Sequence, residues 1–240
     1  EELADSGKKV TTLGPIIHNP QAVAALEKKG VTVANSLCDC EKESTVVIRS
    51  HGVPKSVYDE LKKRNLEYED ATCPFVEKIH RIVENASAKG DIILIAGDKN
   101  HPEVEGIMGF AATPVFVFEN LDELHNILNN IPNYQKNSVT AVSQTTFDSI
   151  LWKKSEKFIE KVCTNAKIFD TICDATSKRQ KEAEQLSRES DLMIVIGGRQ
   201  SSNTAKLKNI CQKNCRTVLC ETADELDEQL IKSGNKIGIT

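Results

Sequence analysis

The feature that most constrains this chain is a repeat of its own sequence. Asp70-Ala71-Thr72-Cys73 recurs as Asp170-Thr171-Ile172-Cys173, 100 positions later. Two apolar runs follow in step, Asp91 to Gly97 and Asp191 to Gly197, with the continuous hydrophobicity of strands buried on both faces. A register kept over that distance without insertion means that one supersecondary unit is used again, with equivalent residues in equivalent places.

Between cysteine and apolar run lies a helical pattern. Pro74 suits a first helical position, Val76, Ile79, Val83 and Ala86 recur at helical spacing, and Gly90 marks the stop. The counterpart runs from about Asp174 to Glu189. Beyond each strand a polar tip opens another helix: Asn100-His101-Pro102-Glu103 in one copy and Gln200-Ser201-Ser202-Asn203 in the other. A further copy is visible at the start, where strand Val10 to Gly14 leads to His18-Asn19-Pro20, with Asn19 as N-cap and Gly30 closing the helix. Gly14 to His18 has the spacing of Gly97 to His101.

Each copy is predicted to continue through a strand (Val31 to Asn35, Val115 to Phe118, Thr217 to Cys220), a helix, and a last strand ending in a second tip. Two of those helices share an acidic start, Asp122-Glu123-Leu124 and Asp224-Glu225-Leu226. The second tips are His51-Gly52 after Val46 and Gln144-Thr145-Thr146 after Val139; the third strand, Lys236 to Thr240, stops before its tip. Alternating strands and helices mean an α/β fold with parallel sheets and ligands at the carboxyl ends of the strands. The expected architecture is three pseudo-threefold-related units forming a trefoil, each a small, mostly parallel sheet flanked by helices, around a central site. Their bounds are 1–72, 73–169 and 170–240. The outer units read as incomplete: Glu1 to Lys9 resembles the tail of a helix, and the repeat places a first cysteine roughly ten residues before Glu1.

Composition narrows the function. Net charge is −4 and hydrophobic residues make up 39% of the 240, an ordinary globular balance without the basic face needed to grip nucleic acid. No apolar run approaches the roughly 18 residues that span a bilayer. Glu1-Glu2-Leu3-Ala4-Asp5 is unlike a signal peptide, so a cytoplasmic location is expected, without nucleic-acid or membrane partners. In that compartment the eight cysteines are expected to be thiols or metal ligands rather than a disulfide framework.

Cys73 and Cys173 each precede a helix, where unpaired N–H groups and the helix dipole favour thiolate. A single intracellular cysteine is by default a buried structural thiol; recurrence at one place in two copies argues for ligands instead. Three such thiols, one per copy, suit an iron-sulfur cluster with one iron left open. Cys38, Cys40, Cys163, Cys211, Cys215 and Cys220 lack repeat partners and paired Cys-x-x-Cys spacing, and are read as structural. His18, His51 and His101 fall on tips and, with Ser201, Ser202 and Asn203, offer donors for a phosphate group beside helix N-termini. His80 and His125 lie within helices and read as structural. Glu103, in the first turn beside His101, either complements the helix dipole or delivers protons, and Thr145 is placed to orient that acid or a substrate hydroxyl.

The chain resembles the 4-hydroxy-3-methylbut-2-enyl diphosphate reductase (LytB/IspH) family over nearly its whole length. The resemblance rests on seven motifs in order: Ile17-His18-Asn19, Arg49-Ser50-His51-Gly52-Val53, Asp70-Ala71-Thr72-Cys73-Pro74, His101-Pro102-Glu103-Val104-Glu105-Gly106, Gln144-Thr145-Thr146, Ile172-Cys173 and Ser201-Ser202-Asn203. It implies a [4Fe-4S] cluster, ferredoxin or flavodoxin as electron donor, and reductive loss of an allylic hydroxyl as the last step of the non-mevalonate isoprenoid pathway. It also implies roles. Cys73 and Cys173 ligate the cluster; His18, His51, His101, Ser201, Ser202 and Asn203 bind diphosphate; Glu103 delivers protons; Thr145 positions the substrate hydroxyl. The family's first cluster cysteine and last diphosphate-binding serine fall outside residues 1–240, so this segment alone is expected to be inactive. Cys38 and Cys40 follow the wrong strand to replace that cysteine. Two rival readings stay open: an iron-sulfur electron carrier, which wants four protein ligands, and a metal-free sugar-phosphate binding protein.

Overall fold

The computed structural model describes residues 1–132, 134–135, 137–232 and 234–240. It divides into two compact units, one of residues 1–17, 21–144 and 150–171, the other of 18–20, 145–149 and 172–240.

The larger unit holds two four-stranded parallel sheets. The first contains β1 (Val10–Leu13), β2 (Thr32–Ala34), β3 (Thr45–Ile48) and β4 (Tyr68–Asp70) in the order β2-β1-β3-β4. The second contains β5 (Ile92–Ala96), β6 (Val115–Phe118), β7 (Ser138–Ser143) and β8 (Asn165–Ile168) in the order β6-β5-β7-β8. The smaller unit repeats the pattern with β9 (Leu192–Ile196), β10 (Arg216–Cys220) and β11 (Ile237–Ile239), ordered β10-β9-β11. In all three the first strand sits between the next two, so the chain leaves it to one side and returns on the other. That reversal opens a crevice at the carboxyl ends of the strands.

Helices of the larger unit are α1 (Glu2–Asp5), α2 (Pro20–Glu27), α3 (Lys55–Lys63), α4 (Pro74–Ser87), α5 (Pro102–Met108), α6 (Leu121–Asn130) and α7 (Ser149–Val162), the last beginning at the unit boundary. α8 (Asp174–Arg188), α9 (Ser202–Cys211) and α10 (Glu228–Lys232) belong to the smaller one. α4 shows why the periodicity was legible. Ile79, Val83 and Ala86 face Ile93, Ile95, Val104, Ile107 and Val142 in one core. The helix ends where Gly90 takes φ 87° and the Asp91 N–H reaches back to the Ala86 carbonyl at 3.1 Å.

Two predicted helices differ. After β2 there is no helix; residues 35–44 form turns in which the N–H and hydroxyl of Ser36 both donate to Asp39 Oδ2, at 3.1 and 2.7 Å. A side chain that captures the backbone over so short a connection competes with the helix nucleus. After β10 the helix splits into a 3₁₀ turn (Ala223–Glu225) and α10. Leu226 is extended, and Asp227 Oδ1 accepts from the Gln229 N–H at 2.8 Å, starting the chain afresh. The second copy keeps an unbroken α6 because its cap is reciprocal: Asn120 Oδ1 accepts from the Glu123 N–H at 2.9 Å, and Glu123 Oε2 accepts from the Glu119 N–H at 2.8 Å.

Candidate active site

In the larger unit the tips of both sheets carry predicted residues. Cys73 is the N-cap of α4 with extended backbone (φ −60°, ψ 133°), and Pro74 fills the first helical position. Its N–H donates to the Ser50 carbonyl at 3.0 Å, tying the cysteine to the loop after β3. The preceding turn is fixed by Asp70, whose Oδ1 accepts from the Thr72 N–H at 2.9 Å and whose Oδ2 accepts from the Tyr58 hydroxyl at 2.9 Å. Burial pushes the Tyr58 phenol up to about 12, so it stays a donor.

His51 follows Ser50, and its turn closes through the Gly52 N–H to the Arg49 carbonyl at 3.0 Å with Gly52 at φ 71°. His101 caps α5. Its Nδ1 accepts from the Glu103 N–H at 3.2 Å, which assigns the remaining proton of a neutral ring to Nε2. The His51 and His101 rings meet edge to face, centroids 5.3 Å apart. Glu103, 2% exposed, sits in the same helical turn. The approach is set from behind: a Cβ on Gly109, at the end of α5, would fall 2.6 Å from Pro54 Cα, next to α3. On the other strand of the tip, Gln144 Oε1 accepts from the Asp98 N–H at 3.1 Å and holds the loop leading to His101.

The smaller unit repeats the cysteine geometry. Cys173 is the N-cap of α8 with φ −62° and ψ 134°, and its N–H donates to the Thr145 carbonyl at 3.0 Å. Thr145 is buried, and the Thr146 hydroxyl donates to Ser202 Oγ at 3.0 Å. Gln180 of α8 secures the segment, donating to the Phe147 carbonyl at 2.9 Å and accepting from the Ser149 N–H at 3.0 Å. Ser201 caps α9, and Ser202 and Asn203 lie in its first turn, all half-buried; Asn203 Oδ1 is buried and has no hydrogen-bond partner among the described residues. The His18 carbonyl packs on Gly198, where any Cβ would collide with it.

Within the larger unit the structure therefore brings together Cys73, His51, His101 and Glu103, and within the smaller one Thr145, Cys173, Ser201, Ser202, Asn203 and the His18 segment. The Cys73 and Cys173 thiols are half-buried, outside any disulfide, and each at a helix-capping position. Cys163, Cys211 and Cys220 are buried, and burial pushes their thiols up, as for structural residues. Cys215 is half-buried and is pushed up the same way. His80 is also structural, stacked on Phe110, and His125 stacks on Phe158 with centroids 3.9 Å apart. Sequence reading missed Gly109 and Gly198, since their need for a bare α-carbon depends on distant partners. Arg49 likewise carries no role that its position in the sequence predicts.

Fold and tips together define a parallel α/β protein of the ligand-binding enzyme type, with thiols and phosphate-type donors presented at strand ends. Among such proteins the chain belongs to the LytB family, whose model, described as LytB protein, matches residues 1–240. It is 44% identical over 237 residues to the 4-hydroxy-3-methylbut-2-enyl diphosphate reductase of Thermoanaerobacter sp. (strain X514), covering 98% of this chain and 80% of that protein. The reductase of Clostridioides difficile (strain 630) is 41% identical, covering 100% and 84%. Among solved structures, the E-1-hydroxy-2-methyl-but-2-enyl-4-diphosphate reductase of Plasmodium falciparum superposes with a TM-score of 0.91 at 30% identity, covering 100% of this chain and 75% of that one. A second structure, of (E)-4-hydroxy-3-methyl-but-2-enyl diphosphate reductase, described as the terminal enzyme of the non-mevalonate pathway, gives 0.66 at 35% identity, covering 100% and 86%.

Proposed function

We infer that this chain is a 4-hydroxy-3-methylbut-2-enyl diphosphate reductase, removing the allylic hydroxyl of its substrate with two electrons to give isopentenyl and dimethylallyl diphosphates. The observation that carries this reading is the match to relatives of that name along 97–100% of the chain. The three copies, 1–72, 73–169 and 170–240, are in this reading three α/β units, each carrying functional residues at its strand-end tips.

The residues fit an iron-sulfur group. Cys73 and Cys173 are proposed as two of its ligands, and the bound [4Fe-4S] cluster would supply electrons and a Lewis-acidic iron for the hydroxyl. The chain's own groups do the rest. His18, His51, His101, Ser201, Ser202 and Asn203 bind the diphosphate as hydrogen-bond donors. His101 is held for this role at the start of α5, where its Nδ1 accepts from the Glu103 N–H. Glu103, enclosed in the protein, is the proposed proton source for departing water, and Thr145 orients the hydroxyl. Ferredoxin or flavodoxin is the proposed electron donor and the cytoplasm the proposed location; no helix among the described residues is long and apolar enough to cross a membrane.

The test is an anaerobic assay of the natural protein with reduced methyl viologen and the hydroxylated diphosphate, beside Cys73→Ser. Turnover that disappears together with visible cluster absorbance in the variant is the expected result. Turnover absent from a cluster-loaded wild type would point instead to an electron carrier. Cluster absorbance lacking in both proteins would return a metal-free binding protein.

A further inference from the structure

A crevice of about 590 Å³ opens in the larger unit at the carboxyl ends of β1, β2 and β3, and neither His51 nor His101 is among the residues that line it. It is the switch-point position of an open parallel sheet, where the chain leaves β1 to one side and returns on the other. Gly14 and Pro15 line it after β1, Asn35 to Leu37 after β2, Arg49 after β3, and the first turns of α3 close it. The loop at 35–44 stands where the second copy has α6, and its first residues, Asn35 to Leu37, form one wall of the crevice.

Arg49 gives the crevice its chemistry. The side chain is half-buried, its Nε is fully buried, and no hydrogen bond or ion pair reaches the guanidinium among the described residues. Burial depresses its pKa, and Glu105 acts on it only as a more distant charge. The other charge on the crevice, Glu60, is already neutralised by Arg64 at 2.6 Å. Space for the guanidinium comes from Gly14, at φ 75°, where a Cβ would lie 3.0 Å from Arg49 Cζ. α3 begins at Pro54 without a side-chain cap, so its first N–H groups, beside Ser56, add to the positive end. Leu13, Pro15, Leu37, Val53, Pro54 and Val57 supply apolar wall.

We propose that this crevice is a second binding site, for a small amphiphilic anion: a phosphate or carboxylate head on Arg49 and the start of α3, with a short branched or linear apolar tail along Leu37 and Val57. The unmet guanidinium takes the head in paired hydrogen bonds, and the volume suits a ligand of about ten heavy atoms.

Calorimetric titration of butyl phosphate into the natural protein tests this, beside Arg49→Gln, Ser56→Asp and His101→Gln. Ser56→Asp is chosen because a carboxylate in the first turn of α3 favours the helix while repelling the ligand. Saturable binding is expected, weakened roughly tenfold or more by Arg49→Gln and by Ser56→Asp and unchanged by His101→Gln. Inorganic phosphate should bind at least about fivefold more weakly than butyl phosphate, through loss of the apolar wall. No heat up to about 10 mM in the wild type, undiminished binding in Ser56→Asp, or binding lost with His101→Gln would overturn the proposal. Equal affinity for inorganic phosphate would overturn the amphiphilic class of ligand.

Discussion

His80 lies flat on Phe110, ring centroids 4.2 Å apart and planes 17° from parallel, with its edge filling the space that a side chain on Gly52 would take. It therefore supports the turn that presents His51 without touching a ligand itself. Burial holds its pKa at about 4, below the ordinary 6.5. Because the folded state prefers the neutral ring, this contribution is complete above about pH 6.5. It is lost as pH falls from there towards 4, where the unfolded chain takes up the proton first, by roughly 3 kcal/mol in all. Urea unfolding at several pH values should show that slope in the wild type and lose it in His80→Phe. An equal slope in both would assign it elsewhere.

Gly109 and Gly106 differ in what they tolerate. An added methyl at Gly109 would press on the Pro54 backbone, whereas at Gly106 the nearest atoms, including the His51 carbonyl oxygen, stand at 3.5 Å, ordinary contact. Gly109→Ala is expected to cost about 1–3 kcal/mol and to lower kcat by tenfold or more as α5 shifts His101 and Glu103 away from His51. Gly106→Ala should come within about 1 kcal/mol of the wild type. Thermal unfolding and steady-state kinetics on the pair decide this, and equal effects would refute the contact argument.

The cysteines should separate by position. Iron content after anaerobic purification should fall in Cys73→Ser and Cys173→Ser, and stay at the wild-type level in Cys38→Ser, Cys40→Ser and Cys211→Ala. The last is fully buried, so it should lower stability by about 1–2 kcal/mol while keeping iron. Iron lost in Cys38→Ser or Cys40→Ser, but not in Cys73→Ser, would move the ligand set to the loop after β2.

Asn120→Ala removes one half of the reciprocal cap of α6, the acceptor of the Glu123 N–H, together with the Asn120 Nδ2 bond to Glu123 Oε1, and leaves the Glu119 half in place. It should cost about 1 kcal/mol of stability with kcat and KM unchanged, because the cap faces none of the proposed ligand groups. A change in KM would show that α6 couples to the site.

Much of this was legible because strands buried on both faces write themselves as unbroken apolar runs. Ile92 to Ala96 and Leu192 to Ile196 need no tertiary knowledge to be read, and the recurrence of a cysteine before each helix located Cys73 and Cys173. Periodicity failed where a side chain competes with the backbone, as Asp39 does after β2 and Asp227 does after β10. Neither bond has a pattern in the sequence that distinguishes it from an exposed acidic residue in a helix. Gly109 and Gly198 were unreadable for another reason, since the Pro54 and His18 backbones they accommodate are remote along the chain. The solitude of Arg49 is likewise a statement about what fails to approach it in space.

The two cysteines are anchored through their main-chain N–H groups, to the carbonyls of Ser50 and Thr145, and not through side chains. Residues 50 and 145 thus give the scaffold a peptide carbonyl that any amino acid would supply. The bond that seats each cysteine therefore makes no demand on the side chain at position 50 or 145. A lineage built on this frame can exchange either residue and still keep its cysteine on the same peptide carbonyl, so that the positions next to the thiols can vary without unseating them.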